Sequence, residues 1–257
     1  MKYTLIFRSS IAAVTLAGAN AATITTSPTA YSIVQISDFG FVPNSSVNLV
    51  FDRFDTMSGT RNLTSLVMEI TYTKSGGQFS VDNESSSSAT VTLTQYVSAT
   101  IKAVPSSSVS LVKDDGLGSK LGYHGDPTDD GYSVLVASSS DTRVLDANEG
   151  AGDLPNVFDA SGGDYYRFEP SSVTVSDSGT ILDSSKYLGN DSYTLQVAAT
   201  QGTDYSGISG LSVSSSPASI VGFVKVTYNF AVSPIPEPDV ASLVGGIGGL
   251  LLLRRRR

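Results

Sequence analysis

The stretch 89–104, ATVTLTQYVSATIKAV, alternates apolar and polar residues with a period of two. Successive side chains of a β-strand point to opposite faces, so this pattern places the apolar residues on one face and the threonines and serines on the other. Alternation over such a length predicts a half-buried strand rather than a helix. The apolar face consists of Val91, Leu93, Val97, Ala99 and Ile101.

Other parts of the chain repeat this pattern. Their apolar faces are Leu66, Met68, Ile70 and Tyr72; Tyr193, Leu195, Val197 and Ala199; and Ile220, Val224, Val226, Tyr228, Phe230 and Val232. Shorter strands are predicted around 31–36, 47–51, 78–82, 108–113, 132–137 and 172–176. Because most connections are too short for helical crossovers, we expect antiparallel pairing. The sequence therefore predicts an all-β fold, an antiparallel β-sandwich of jelly-roll-like type.

The N-terminus has the pattern of a cleaved secretory signal. Lys2 and Arg8 precede an apolar stretch at 11–17, and Ala19 and Ala21 frame a small-x-small cleavage site. We predict a signal peptide at 1–21 and a sandwich domain at 22–233. The chain has no cysteine, but a domain above roughly 200 residues can bury enough surface without disulfides.

Composition excludes several classes of function. The formal net charge of −8 repels phosphate backbones, so nucleic acid is not expected as a partner. The absence of cysteine and the single histidine, His124, exclude thiolate sites and multi-histidine metal clusters. Asp126 or Asp129 lies near His124 in sequence, but no serine occupies a G-x-S-x-G elbow. We predict that the protein is not an enzyme.

The region 114–164 is rich in glycine and aspartate, and long irregular loops in compact domains are often functional. Asp126, Asp129 and Asp130 could supply oxygen ligands to calcium. An EF-hand is excluded because Ala137 stands where the bidentate glutamate is needed. An irregular calcium site and a solvated turn are the alternatives for these residues, and no other cofactor is expected.

Four tyrosines of the same region are candidates for sugar contact, because exposed aromatic rings can stack on sugars. They are Tyr123, Tyr132, Tyr165 and Tyr166. The alternative role of these rings is to hold the loops on the core.

The C-terminal segment 234–257, PIPEPDVASLVGGIGGLLLLRRRR, ends in an apolar run and a block of arginines. The run at 240–253 would span about 21 Å as a helix. A bilayer core is about 30 Å thick and needs roughly 20 residues. Arginines remain on the cytoplasmic side, so the segment would hold an exported protein in the membrane only marginally.

This arrangement closely resembles the PEP-CTERM sorting signal. The resemblance implies export, transient retention in the inner membrane of a Gram-negative bacterium by a short hydrophobic helix, and cleavage by an exosortase. It assigns recognition to Pro236, Glu237 and Pro238. The cytoplasmic end would be Arg254, Arg255, Arg256 and Arg257. Signal peptidase and exosortase are thus the implied partners during export.

The body resembles the choice-of-anchor type E domain in 51–101, in YLGNDSYTLQVAAT and in the closing IVGFVKVTYNF. That family has no assigned enzymatic activity, so the resemblance supplies no catalytic residues. The leading prediction is a structural or adhesive protein of the cell surface or of the extracellular, polysaccharide-rich matrix of a biofilm. A carbohydrate-binding module is the alternative, and a secreted hydrolase using paired carboxylates is the second alternative.

Overall fold

The computed structural model describes residues 2–7, 30–121, 134–148, 158, 160–207 and 210–233. Strands dominate these ranges, which contain no α-helix. The strands are β1 (Lys2–Phe7), β2 (Ala30–Phe41), β3 (Ser45–Asp52), β4 (Arg61–Asn83), β5 (Ala89–Ala103), β6 (Val134–Leu145), β7 (Tyr165–Phe168), β8 (Val173–Thr180), β9 (Ser192–Ser206) and β10 (Leu211–Val232).

The strands form two antiparallel sheets. Sheet A has the order β1-β2-β10-β4-β7, and β8 also pairs with β4. Sheet B has the order β3-β9-β5-β6. The prediction of an all-β protein built from two packed antiparallel sheets is therefore confirmed.

Strand β1 lies within the predicted signal peptide. It pairs antiparallel with β2, with Lys2 opposite Ile36 and Phe7 opposite Tyr31, and forms one edge of sheet A. Ala19 and Ala21 lie outside the described residues, so the cleavage site stays a prediction. The same is true of the sorting segment 234–257.

The predicted apolar faces meet between the sheets. Facing sheets pack about 10 Å apart, which leaves room for one interdigitated layer of side chains from each. The larger core contains the buried residues of the alternating faces of β4, β9 and β10, together with Val97, Ala99 and Ile101 of β5. Val232 is the exception among the predicted face residues, because it is 38% exposed at the end of β10.

A smaller core lies at the other end of the sandwich. Its members are Phe79, Val81, Ala89, Val91, Leu93, Leu145 and Phe168.

Strand β4 runs through a kink that separates the two cores. Gly76 and Gly77 have φ angles of +64° and +81°, in the left-handed region that glycine adopts without steric cost. Before the kink the even-numbered side chains from Leu66 to Lys74 are buried, and after it Phe79 is buried. The sequence predicted a separate strand at 78–82. Residues 78–82 do form a strand, but that strand is the continuation of β4, because the two glycines bend β4 without ending its pairing with β10.

The strand predicted at 108–113 does not form. A short 3₁₀ turn at Pro105–Ser107 precedes this segment. Within it, only isolated bridges occur, from Val112 to Lys120 and from Lys113 to Ile181. Leu111 is nevertheless buried. The apolar alternation thus reflects side chains packed on the core without a ladder of backbone hydrogen bonds.

Candidate functional site

Most residues that the sequence singles out lie outside the described part of the chain. They are Asp126, Asp129 and Asp130, His124, Tyr123 and Tyr132, Pro236, Glu237 and Pro238, and Arg254, Arg255, Arg256 and Arg257. Their predicted roles therefore stay predictions. Among the residues that the structure describes, no group of three or more acidic or histidine side chains is arranged to hold a metal ion.

Tyr165 and Tyr166 are neighbours in β7, so their side chains point to opposite faces. The Tyr166 hydroxyl donates to the Asp141 carboxylate, which lowers the pKa of Asp141. The Arg143 guanidinium lies 5.1 Å from the centre of the Tyr166 ring. The Tyr165 ring packs edge-on against Phe158, with 5.8 Å between the ring centres. These two tyrosines consequently do not form a shared flat platform for a sugar.

The largest pKa shifts belong to buried tyrosines. The Tyr72 hydroxyl crosses the sandwich to the carbonyl oxygens of Val97 and Leu135, at 2.8 and 2.6 Å, and accepts from the Ala137 N–H at 3.1 Å. Burial raises the pKa of Tyr72 to about 12. A hydroxyl that is this well bonded and protonated joins sheets A and B; it has no role as a nucleophile.

A second tyrosine cluster closes one end of the larger core. The Tyr228 hydroxyl lies 2.9 Å from the Asp52 carbonyl oxygen and 3.1 Å from the Tyr193 hydroxyl. Tyr187 packs edge-on against Tyr193, with 5.1 Å between the ring centres. Burial raises the pKa of all three tyrosines. Their polar atoms are bonded within the fold, so this cluster is structural.

Lys74 and Gln95 are buried polar residues at the boundary between the two cores. Lys74 is fully buried in β4 between Ile220 of β10 and Val173 of β8, its cross-strand neighbours. Its Nζ has no hydrogen-bond partner among the residues that the structure describes, and burial lowers its pKa. Both amide atoms of Gln95 are likewise unpaired within these ranges, and they lie 2.6 Å from where a Cβ at Gly77 would be. No substrate can reach this pair from solvent, so it carries a stability cost rather than a reaction.

The sandwich opens to solvent between β9 and β10. Strand β3 pairs with β9 only as far as Ala199, and β2 pairs with β10 only from Ile220 onwards. Residues 200–206 and 211–219 therefore each have one edge that pairs with no described strand, and a cleft of about 280 Å³ lies between them. We call it the β9–β10 cleft. Its lining residues are Asn44, Gln201, Gly202, Thr203, Ser215, Ser216 and Pro217.

The Gln201 side chain holds the two walls of the β9–β10 cleft together. Its Nε2 donates to the Ser216 carbonyl oxygen at 3.1 Å, and its Oε1 accepts from the Ala218 N–H at 2.6 Å. This amide occupies backbone groups at the free edge of β10 in the way that a neighbouring strand would. The cleft is thus a fixed feature of the fold and not a gap between independent loops.

An aromatic ring lies beside this cleft. Tyr96 and Gly202 are opposite each other in the β5–β9 ladder. The end of the Tyr96 ring lies where a side chain at Gly202 would begin, with Cε2 2.6 Å from the ideal Cβ position. The sequence did not point to Tyr96, because it sits in the middle of an alternating strand and only its partner's lack of a side chain lets the ring lie across β9.

A smaller cleft of about 240 Å³ lies at the opposite end of β5. Lys102 and Lys120 lie on its polar side, and Ile101, Val109 and Leu111 on its apolar side. None of its described lining residues is acidic. Neither cleft therefore provides the paired carboxylates that the hydrolase hypothesis requires.

No family model matches the chain, and no curated protein matches it either. Structural similarity extends to capsid proteins of infectious bursal disease virus. The VP2 subviral particle has 16% sequence identity over 96% of this chain, with a TM-score of 0.19, and the Gx strain structure has 16% identity over 88%, also with a TM-score of 0.19. The chain spans about half the length of these capsid proteins, 53% and 48% respectively. At such low TM-scores the likeness carries no argument about function.

In the described ranges, no helix is long and apolar enough to cross a membrane.

Proposed function

We propose that the protein is a non-catalytic, exported component of the bacterial cell surface or extracellular matrix with a structural or adhesive role. The observation that carries this proposal is the sequence of the C-terminal segment. There, Pro236, Glu237 and Pro238 precede a short apolar run and four terminal arginines. Signal peptidase would remove 1–21, and an exosortase would cut near the Pro-Glu-Pro motif after transient retention in the inner membrane.

The body of the protein suits such a role. Its described titratable groups with raised pKa values are mainly tyrosines whose hydroxyls are bonded inside the fold, which is compatible with a non-catalytic sandwich. The outer face of sheet B is rich in hydroxyls, and the hydroxyls of Thr92 and Thr142 lie 2.9 Å apart across β5 and β6. A hydroxyl-rich face is compatible with a hydrated polysaccharide environment.

We further propose that the sandwich is of jelly-roll type. Support comes from the strand orders, because without β1 and β7 the sheets read β2-β10-β4-β8 and β3-β9-β5-β6. In this order each sheet alternates strands from the first and second halves of the chain. That is the arrangement produced when a long antiparallel ribbon folds over into two facing sheets.

A carbohydrate-binding module is the second candidate function. The β9–β10 cleft favours it, because amide and hydroxyl groups line the cleft and an aromatic ring lies next to it. Tyr165 and Tyr166 do not support it, since their rings contact protein groups on opposite faces of β7.

The sorting proposal predicts a change of location in a triple variant. Replacing Pro236, Glu237 and Pro238 by alanine in the native host should leave the protein in the inner-membrane fraction and nearly abolish its release to the surface and medium. The physical reason is that the apolar run and the arginines persist when the protease lacks its recognition motif. Quantitative immunoblotting of cell fractions measures this.

Pro234→Ala is the matched control, because it removes a proline of the same segment outside the motif and should leave location unchanged. Wild-type surface levels in the triple variant would contradict exosortase sorting. Loss of both variants from every fraction would indicate degradation, and pulse labelling of the newly made protein would then determine where it is first held.

A further inference from the structure

The β9–β10 cleft has a lining that is unusual for an acidic protein, because none of the described residues that line it is charged. Such a lining offers no compensation for the charge of a phosphate, a carboxylate or a metal ion. Its amide and hydroxyl groups instead donate and accept hydrogen bonds without charge. The chemistry of the cleft therefore selects a neutral ligand with many hydroxyl groups.

Three polar side chains of the cleft are free to bind such a ligand. The side chains of Asn44, Thr203 and Ser215 make no hydrogen bond within the described part of the chain, whereas Gln201 and Ser216 are engaged in holding the walls. Asn44 comes from the β2–β3 connection, Thr203 from β9 and Ser215 from β10. Free groups thus converge from three chain segments onto one cleft.

The Tyr96 ring supplies a flat surface at the edge of the same cleft. Gly202 both lies under this ring and lines the cleft, so the two features share a residue. The Tyr96 hydroxyl has no partner among the described residues, and the side chain is partly exposed. An aromatic face beside free hydrogen-bonding groups is what a pyranose ring needs, since a sugar has an apolar face and a hydroxylated rim.

We propose that the β9–β10 cleft, with the Tyr96 ring at its edge, binds a short stretch of a neutral polysaccharide. This site rests on the second candidate function and gives it a location. The volume of about 280 Å³ is at the small end of ligand sites, so the cleft holds one or two sugar units of a chain that continues into solvent along the free edges of β9 and β10.

The test is a titration of the ¹⁵N-labelled protein, followed by NMR, with neutral hexasaccharides of β-glucan, α-glucan, mannan, galactan and xylan. A hexasaccharide of polygalacturonate is the charged comparator. At least one neutral ligand should shift the amide signals of Gly202 and Thr203, and the charged ligand should bind at least tenfold more weakly. Absence of shifts at these amides with all five neutral ligands overturns the proposal.

Variants locate the site. Tyr96→Ala should weaken binding at least tenfold, whereas Tyr96→Phe should keep it within about twofold because the ring remains. Gly202→Ala should weaken binding as much as Tyr96→Ala does, because the added methyl group occupies the place of the ring. Tyr165→Ala, which removes a partly exposed tyrosine of β7 that does not line the β9–β10 cleft, is the control and should bind like wild type.

If Tyr96→Ala binds glycan as tightly as wild type, the proposal that the β9–β10 cleft is the binding site is overturned, even if a glycan binds elsewhere on the protein. The test is independent of sorting. Tyr96→Ala should still reach the surface, so failure of glycan binding with normal location contradicts only this inference, and failure of location contradicts only the sorting proposal.

Discussion

Replacing Gly222 by alanine is expected to destabilise the protein by about 3 kcal/mol, the upper part of the range for overpacking a close-packed interior. A methyl group at this position in β10 would collide with the backbone carbonyl oxygen of Thr71. It would also lie 2.8 Å from both the Phe39 ring and the Tyr72 Cα. Two of these three neighbours are backbone atoms of β4, which cannot move without disturbing the strand pairing. Urea denaturation monitored by circular dichroism measures the change.

Gly40→Ala is the matched control, because Gly40 lies in the adjacent strand β2 opposite Val221. The nearest atoms to a methyl group at Gly40 are 3.7 Å away, an ordinary contact distance. This variant should change the free energy of unfolding by less than about 0.5 kcal/mol. Equal effects of the two alanines would contradict the close approach of β10 and β4 at Gly222.

Replacing Lys74 by methionine is expected to stabilise the protein by about 2 kcal/mol. Methionine fills a similar volume and adapts to irregular gaps, and it removes a buried amine that has no hydrogen-bond partner in the described part of the chain. Lys102→Met is the control, since Lys102 is exposed on β5 and its loss should change stability by less than about 0.5 kcal/mol. A destabilised Lys74→Met variant would contradict the absence of a partner for this amine.

The Lys74→Met variant should also differ from wild type in how its free energy of unfolding depends on pH. Burial lowers the pKa of Lys74 in the folded protein below 10.5, its ordinary value. At pH values between the folded-state pKa and 10.5, the unfolded chain therefore binds more protons than the folded protein. Wild-type stability therefore gains a contribution that grows as pH rises through this window. The advantage of Lys74→Met should accordingly shrink as pH approaches 10.5. Denaturation of both proteins at several pH values from 7 to 10 measures this, and a constant advantage would contradict the buried position of the amine.

The sequence was sufficient to predict the strands whose alternation is long and regular. Apart from Val232, the apolar faces of β4, β9 and β10 are buried as predicted, because a period of two fixes which side chains meet the opposite sheet. Alternation also places Lys74 and Gln95 inward, against their polarity. Their burial follows from the strand geometry, whereas the absence of a partner for either side chain among the described residues is visible only in the structure.

Features that depend on contacts between distant segments could not be predicted. The kink at Gly76 and Gly77 reads in sequence as a turn between two strands, yet the pairing of β4 with β10 continues beyond it. The β9–β10 cleft exists because β3 and β2 end their pairing at Ala199 and Ile220. No local pattern in the sequence specifies where two neighbouring strands stop relative to each other.

The intact mass of the protein recovered from its native host tests the central claim most directly. It should be measured separately on material from the cell envelope and from the medium. We expect that surface and medium forms lack both residues 1–21 and the segment that follows the Pro-Glu-Pro motif at 236–238. If most molecules outside the inner membrane retain Arg254–Arg257, the proposal of exosortase sorting is contradicted.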